Sequence, residues 1–296
     1  MTHPLETDYP TMETPSARYL ALVHQGRNQW WRYGTGLALI LFCWLVLGYL
    51  PYFWLVAGDR VTTLGFYIAV NFSIVMMLVG LALAMRFLHH RPLMTLVSPE
   101  RRFAWRRAGQ AAVVWGIIGL VAAVVEHGLY PERYYLSFDR GAFFVFAAIA
   151  VVLTPIQTTT EELLFRGYVM QALSLFMRRP FAIAVVSALV FTLPHLMNPE
   201  VRHGALLLAA SYFTIGLLLA VITLRDGRLE LAIGVHAANN LMLALVANYE
   251  GSALMSESIF TARELDPVYS FISLAAGAVV FYWLFFGRRG SNSRET

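Results

Sequence analysis

Thr158-Thr159-Thr160-Glu161-Glu162-Leu163-Leu164-Phe165-Arg166-Gly167 lies mid-chain, in a run that is otherwise almost wholly apolar. An ionisable side chain at membrane depth costs several kcal/mol, roughly 2.5–3.5 on insertion scales, and so marks function by default. On a helix, Glu162 and Arg166 stand at i and i+4 and share a face, where they can form an ion pair. Glu161 is rotated from that face by about 100°. The spacing predicts one neutralised carboxylate, Glu162, and one free one, Glu161, mounted as a general base. The plainer alternative is that both glutamates solvate a helix start, where the macrodipole favours them. Thr159 with Glu162 three residues on reads as a capping box, and Pro155 as a bend before it. The segment from Glu161 to Pro180 therefore reads as a new helix or as the bent continuation of the one before.

The rest of the chain sets this stretch in a membrane. Of the 296 residues 58% are hydrophobic and 14% charged, too apolar for a soluble protein of this size. The single cysteine, Cys43, excludes an intramolecular disulfide and a thiolate cluster. Net charge is +4, and all 22 basic residues are arginine. They cluster at the ends of apolar runs, not in a basic face, so no nucleic-acid partner is expected. The reading is all-α: a polytopic helix bundle in the lipid bilayer with about eight transmembrane helices and both termini cytoplasmic. The expected spans are Tyr33 to Ala57, Val61 to Met85, Ala108 to Val125, Gly141 to about Gln157, Phe181 to Met197, Gly204 to Leu224, Leu229 to Ala247 and Val268 to Phe286. This topology puts seventeen arginines inside and five outside, as the positive-inside rule expects. The expected organisation is a cytoplasmic tail over 1–32, a bundle over 33–286 and a second cytoplasmic tail over 287–296. No internal repeat or second domain is evident.

Two further polar groups interrupt the later spans. Phe191-Thr192-Leu193-Pro194-His195 ends a run with no other ionisable residue, and Phe191 lies one turn back on the face of His195. In His236-Ala237-Ala238-Asn239-Asn240, His236 and Asn240 share a face and Asn239 is nearly on it. Each group alone fits a satisfied core histidine or inter-helix hydrogen bonding. Together with Glu161 they fit one shared site, because intramembrane polar groups face one another or a wet cavity. Straight-helix counting opposes this. It puts Glu161 near the cytoplasmic end and His195 near the outer one, so the fourth helix must bend or start further out, or the fifth must start earlier.

The three groups, EELLFRG, FTLPH and HAANN, resemble in order and spacing the CPBP family of CAAX prenyl endopeptidases and bacteriocin-processing (Abi) proteins. The family pattern is EExxxR, FxxxH and HxxxN or HxxxD, and the resemblance covers about 140–250. It implies an eight-helix intramembrane endopeptidase in which Glu161, assisted by His195, activates water. His236 and Asn240 would stabilise the oxyanion. Glu162 and Arg166 would hold the architecture, with Phe191 and Asn239 in support.

No metal cofactor is favoured, since Asn240 is a poor zinc ligand and a good oxyanion donor. If zinc were bound, His195, His236 and Glu161 would hold it. The expected partner is a peptide or membrane-anchored protein substrate, and the expected location a bacterial plasma (inner) membrane. Prenylated and bacteriocin-type substrates are equally open, and the sequence is silent on oligomeric state. Competing readings are a catalytically silent scaffold or regulator of the same fold, and a proton- or metal-coupled transporter.

Overall fold

Nine helices and three very short strands make up the described residues, 14–55 and 61–287, of the computed structural model. After a short helix α1 (Pro15–Ala21), six helices are long and apolar enough to cross a membrane: α2 (Trp30–Phe53), α3 (Thr63–Leu88), α4 (Trp105–Leu129), α5 (Arg140–Leu173), α7 (Ala205–Asp226) and α9 (Pro267–Phe286). Two more apolar helices are shorter, α6 (Pro180–His195) and α8 (Glu230–Val246). All eight sequence runs are thus helical, and six have spanning length. Residues 1–13, Arg60 and the expected C-terminal tail from 288 on lie outside the described residues.

The helix starts follow local chemistry. Asp139 caps α5 by accepting from the backbone N–H groups of Gly141 and Ala142. Asp266 does the same for α9 through Val268 and Tyr269, with Pro267 at the first helical position. Between α7 and α8 the chain reverses at Gly227, whose φ of 71° is left-handed and whose N–H bonds to the Thr223 carbonyl at 2.7 Å. The outer faces are apolar: on α4, Val113, Ile117, Leu120 and Val124 stand exposed in one stripe, as lipid contact requires.

Four sequence expectations change. The chain does not restart at Glu161, and no cap forms at Thr159; α5 continues through Pro155 and both glutamates, with a wide π-type stretch over Leu163–Val169. Burial of this whole stretch overrides the capping signal. Secondly, the described part of the expected tail, 14–32, carries a helix packed into the bundle. Thr14 caps α1, and Tyr19, Leu20, Leu22 and Val23 are buried in the bundle. Thirdly, Arg166, one of the seventeen arginines counted inside, is fully buried. Lastly, the all-α reading misses a small sheet of order β1-β3-β2, from β1 (Tyr134–Leu136), β2 (Ala247–Tyr249) and β3 (Phe260–Ala262). It ties together the loops at one end of the bundle, with β1 antiparallel and β2 parallel to β3. Arg133 closes the same end on Asp266 at 2.7 Å. Cys43 is buried and free.

Candidate active site

The continuation of α5 removes the depth problem. Both α5 and α6 can be measured from the connection between them, after Leu173 and before Pro180. Glu161 stands about 18 Å up α5 and His195 about 22 Å up α6, at about 1.5 Å per residue, so the two antiparallel helices bring them to similar depth.

The first ion pair is present. Arg166 Nη1 donates to Glu162 Oε1 at 2.8 Å, with both side chains fully buried. Arg166 has two further restraints. Its Nη2 donates to the Gly216 carbonyl of α7 at 3.0 Å, and its guanidinium lies 4.3 Å from the Phe191 ring centre. Phe191 packs edge-on against Phe165 at 5.2 Å and faces the His195 ring at 4.4 Å. It also meets the His236 ring edge-on at 6.0 Å. Phe191 therefore walls the site from α6 and touches Phe165, Arg166, His195 and His236. It can lie this close to α7 because Gly216 has no side chain; a Cβ there would meet the Phe191 ring at 3.1 Å.

The glutamates do not face apart as helical spacing suggested; both face His236. Nδ1 of His236 lies 2.7 Å from Glu162 Oε1, a hydrogen bond that the carboxylate accepts. The other nitrogen, Nε2, faces Glu161 Oε2 at 3.8 Å. That distance is too long for a direct hydrogen bond and suits a bridging water. An imidazole carries its two nitrogens on different edges, so one ring meets adjacent carboxylates through different atoms. Glu162 thereby takes two buried donors, Arg166 and His236, while among the described residues Glu161 takes only the neutral amide of Gln157 at 3.3 Å.

His195 donates from Nδ1 to the Phe191 carbonyl at 2.8 Å, which leaves its Nε2 as the open nitrogen. Asn240 is not hydrogen-bonded to either carboxylate among the described residues. Its amide oxygen accepts from Asn239 Nδ2 at 3.2 Å, and Asn239 Oδ1 accepts from Trp115 Nε1 of α4 at 3.3 Å. Asn239 thus joins α8 to α4 and occupies the oxygen of Asn240, leaving the Asn240 NH2 group to donate elsewhere.

Among the described residues no three His, Cys, Asp or Glu side chains are gathered to hold a metal ion. His236 Nδ1 is committed to Glu162 and His195 Nδ1 to a backbone carbonyl, which leaves Nε2 of each ring open. The reaction proposed below routes no step through a metal.

Several contributors were not singled out in the sequence. Gln157 is one turn before Glu161 and could have been found by i to i+4 spacing alone. Ser187 donates to the Phe165 carbonyl at 3.0 Å, and Tyr19 to the Arg166 carbonyl at 3.2 Å and the Leu96 carbonyl at 2.6 Å. The Thr14-Pro15 pair, an N-cap followed by a first-turn proline, was the available signal for the helix that carries Tyr19.

A family profile described as type II CAAX prenyl endopeptidase Rce1-like matches residues 140–242. The uncharacterized protein YyaK of Bacillus subtilis is 30% identical over 203 residues, which is 68% of this chain and 68% of YyaK. No solved structure matches the chain. The matched region runs from the start of α5 to just past Asn240 and so contains all three polar groups. With two thirds of the chain also aligned to YyaK, the protein belongs to the CPBP family of CAAX-protease-like membrane peptidases.

Proposed function

We propose that the chain is an intramembrane endopeptidase in which Glu161 activates the attacking water. The observation that carries this is the division of labour between adjacent carboxylates: Glu162 is held by Arg166 and His236, and Glu161, among the described residues, by no cation within hydrogen-bond reach. A water seated between Glu161 Oε2 and His236 Nε2 would donate to both and aim its lone pair at a peptide carbonyl. Glu161 takes the water proton as the C–O bond forms, with the open Nε2 of His195 assisting. The carbonyl electrons move to oxygen, and the Asn240 amide stabilises that oxyanion. Its collapse breaks the C–N bond, and Glu161 returns the proton to the leaving amine. Glu162 fixes the tautomer and orientation of His236, as a carboxylate does for a catalytic histidine in hydrolases.

The short helices α6 and α8 complete an eight-helix bundle with both termini cytoplasmic in this reading. Moving Arg166 from the loops to the interior leaves sixteen arginines inside against five outside, so the asymmetry survives. The substrate is a membrane-anchored protein or peptide, and the membrane a bacterial inner one. The test is cleavage of an anchored peptide library, with farnesylated and helix-anchored members, in proteoliposomes. Wild type should release defined fragments and Glu161→Ala none, with equal insertion of both. Retained cleavage in Glu161→Ala would sink the mechanism.

A further inference from the structure

His195 is held on both faces. The Phe191 ring lies 4.4 Å away at 39° and the Tyr212 ring of α7 lies 4.7 Å away at 38°. Tyr212 is anchored by its hydroxyl, which donates to Glu200 Oε1 at 2.6 Å and accepts from Asn198 Nδ2 at 3.0 Å. Glu200 follows α6 in a short turn, Pro199–His203, and is only 3% exposed. No arginine or histidine pairs with it among the described residues; its donors are neutral. Besides Tyr212 they include Asn198 Nδ2, at 3.3 Å on Oε1, and the Ala253 backbone N–H, at 3.0 Å on Oε2, and the Tyr249 hydroxyl lies against the same carboxylate. A carboxylate buried without a counter-charge is costly, so its retention asks for a reason in geometry.

We propose that Tyr212 and Glu200 are positioning residues for His195, and that Glu200 links the β2–β3 loop at Ala253 to the catalytic ring. This rests on the reading of His195 as a participant in hydrolysis. The Nδ1 bond to Phe191 sets which nitrogen is open, and the two flanking rings stop the imidazole from turning. Tyr212 cannot drift from that stack while Glu200 holds its hydroxyl. The loop from β2 to β3 is tied to the other oxygen of the same carboxylate, so a displacement of Ala253 is felt at Tyr212.

The test uses full-length protein in proteoliposomes with the anchored peptide library, together with carbethoxylation of His195 by diethyl pyrocarbonate read by mass spectrometry. Tyr212→Leu should lower kcat about tenfold or more with KM within about twofold, and Tyr212→Phe, which keeps the ring, only about threefold. Glu200→Gln keeps one acceptor oxygen, enough for the Tyr212 hydroxyl but not also for the Ala253 N–H, and should rescue part of what Glu200→Ala loses. Tyr212→Phe and Glu200→Ala remove one shared hydrogen bond, so the double variant should be no worse than Glu200→Ala, within about twofold. Carbethoxylation of His195 should speed up about fivefold in Tyr212→Leu and stay within about twofold of wild type in Tyr212→Phe, following ring mobility. An unchanged carbethoxylation rate in both Tyr212→Leu and Glu200→Ala, or multiplicative kcat losses in the double variant, would overturn the inference. The labelling arm needs no turnover: altered labelling without any Glu161-dependent cleavage would remove the peptidase reading and leave the positioning intact.

Discussion

Glu161 and Glu162 are neighbours with the same side chain, and the geometry assigns them opposite sensitivities. Glu162→Gln strips the charge from a carboxylate that is fully buried between Arg166 and His236. The guanidinium of Arg166 then stays in the interior with a carbonyl and an aromatic face but no counter-ion at contact distance. Breaking one side of a buried pair in this way costs about 3–5 kcal/mol. A change of that size lowers an apparent Tm by on the order of 10 °C in a chain of this length. Glu161→Gln removes a charge that has only the Gln157 amide and a 3.8 Å approach to His236, so it should cost below about 1 kcal/mol. Its effect falls on turnover, where loss of the base removes a factor of about 10²–10⁴. The assay is thermal unfolding in detergent beside cleavage in proteoliposomes. A third variant isolates the cause. Glu162→Gln with Arg166→Met removes both charges, and should recover part of the stability that Glu162→Gln alone loses, because a neutral pair carries no orphan ion. Equal destabilisation by Glu161→Gln and Glu162→Gln, or no recovery in the double variant, would refute this division.

Gln157→Leu deletes the only hydrogen bond to Glu161 among the described residues, and turnover should fall roughly tenfold, about one hydrogen bond to a charged group, with little change in Tm; unchanged turnover would show that the carboxylate is held by other means. Tyr19→Phe leaves the Leu96 and Arg166 carbonyls without its hydroxyl and should lower stability by about 1–2 kcal/mol, read by thermal unfolding. Gly234→Ala puts a Cβ onto the Ala108 carbonyl of α4, forcing α8 and its His236 outward; about 1–3 kcal/mol and most of the activity should go, and wild-type values for both would mean that α8 has room to move. His89 lies just past α3, and burial pushes its titration below the ordinary histidine value, with Arg91 and Arg32 adding to this. The unfolded chain then binds the proton more readily. Its stability contribution is complete above the unfolded value of about 6.5 and is lost as pH falls through the lower folded value. Wild type should therefore lose Tm between neutral pH and pH 5 more steeply than His89→Gln, and parallel curves would remove His89 as the cause.

What could be read in the sequence was what short spacing encodes. Apolar runs gave all eight helices, because a side chain facing lipid must be apolar whatever its neighbours are. The i to i+4 interval gave the Glu162–Arg166 pair, since both partners lie on one turn. What could not be read depends on partners far along the chain. His236 is 74 residues from Glu162, so nothing local says that their side chains meet. The burial of Tyr19 depends on the Leu96 and Arg166 carbonyls, 77 and 147 residues away. The end of α5 was misplaced for a related reason. Threonines, glutamates and a proline are end signals in water, but inside the bundle Thr158 and Thr160 turn their hydroxyls onto the carbonyls of Thr154 and Ile156. They thus satisfy themselves within the helix and let it run on.

The wide stretch Leu163–Val169 makes sense of several of these contacts together. A wide turn within a helix shifts the side chains that follow it and is common at functional sites. It begins immediately after Glu162 and contains Arg166. Its carbonyls take side-chain donors from outside the helix, Ser187 of α6 on Phe165 and Tyr19 of α1 on Arg166. Beside Tyr19, Gly167 lets Leu96 approach so closely that a Cβ would meet it at 2.9 Å. One residue further, the Tyr168 hydroxyl meets His89 Nε2 at 2.9 Å. A turn held from α1, α6 and the loop after α3 cannot easily slide or tighten back to regular α geometry. Arg166 is therefore delivered at a fixed place beside Glu162, Glu162 holds Nδ1 of His236, and Nε2 of His236 is left facing Glu161. The amino-terminal segment that reads as a polar tail thus works as a wedge under α5, four contacts removed from the proposed base, Glu161.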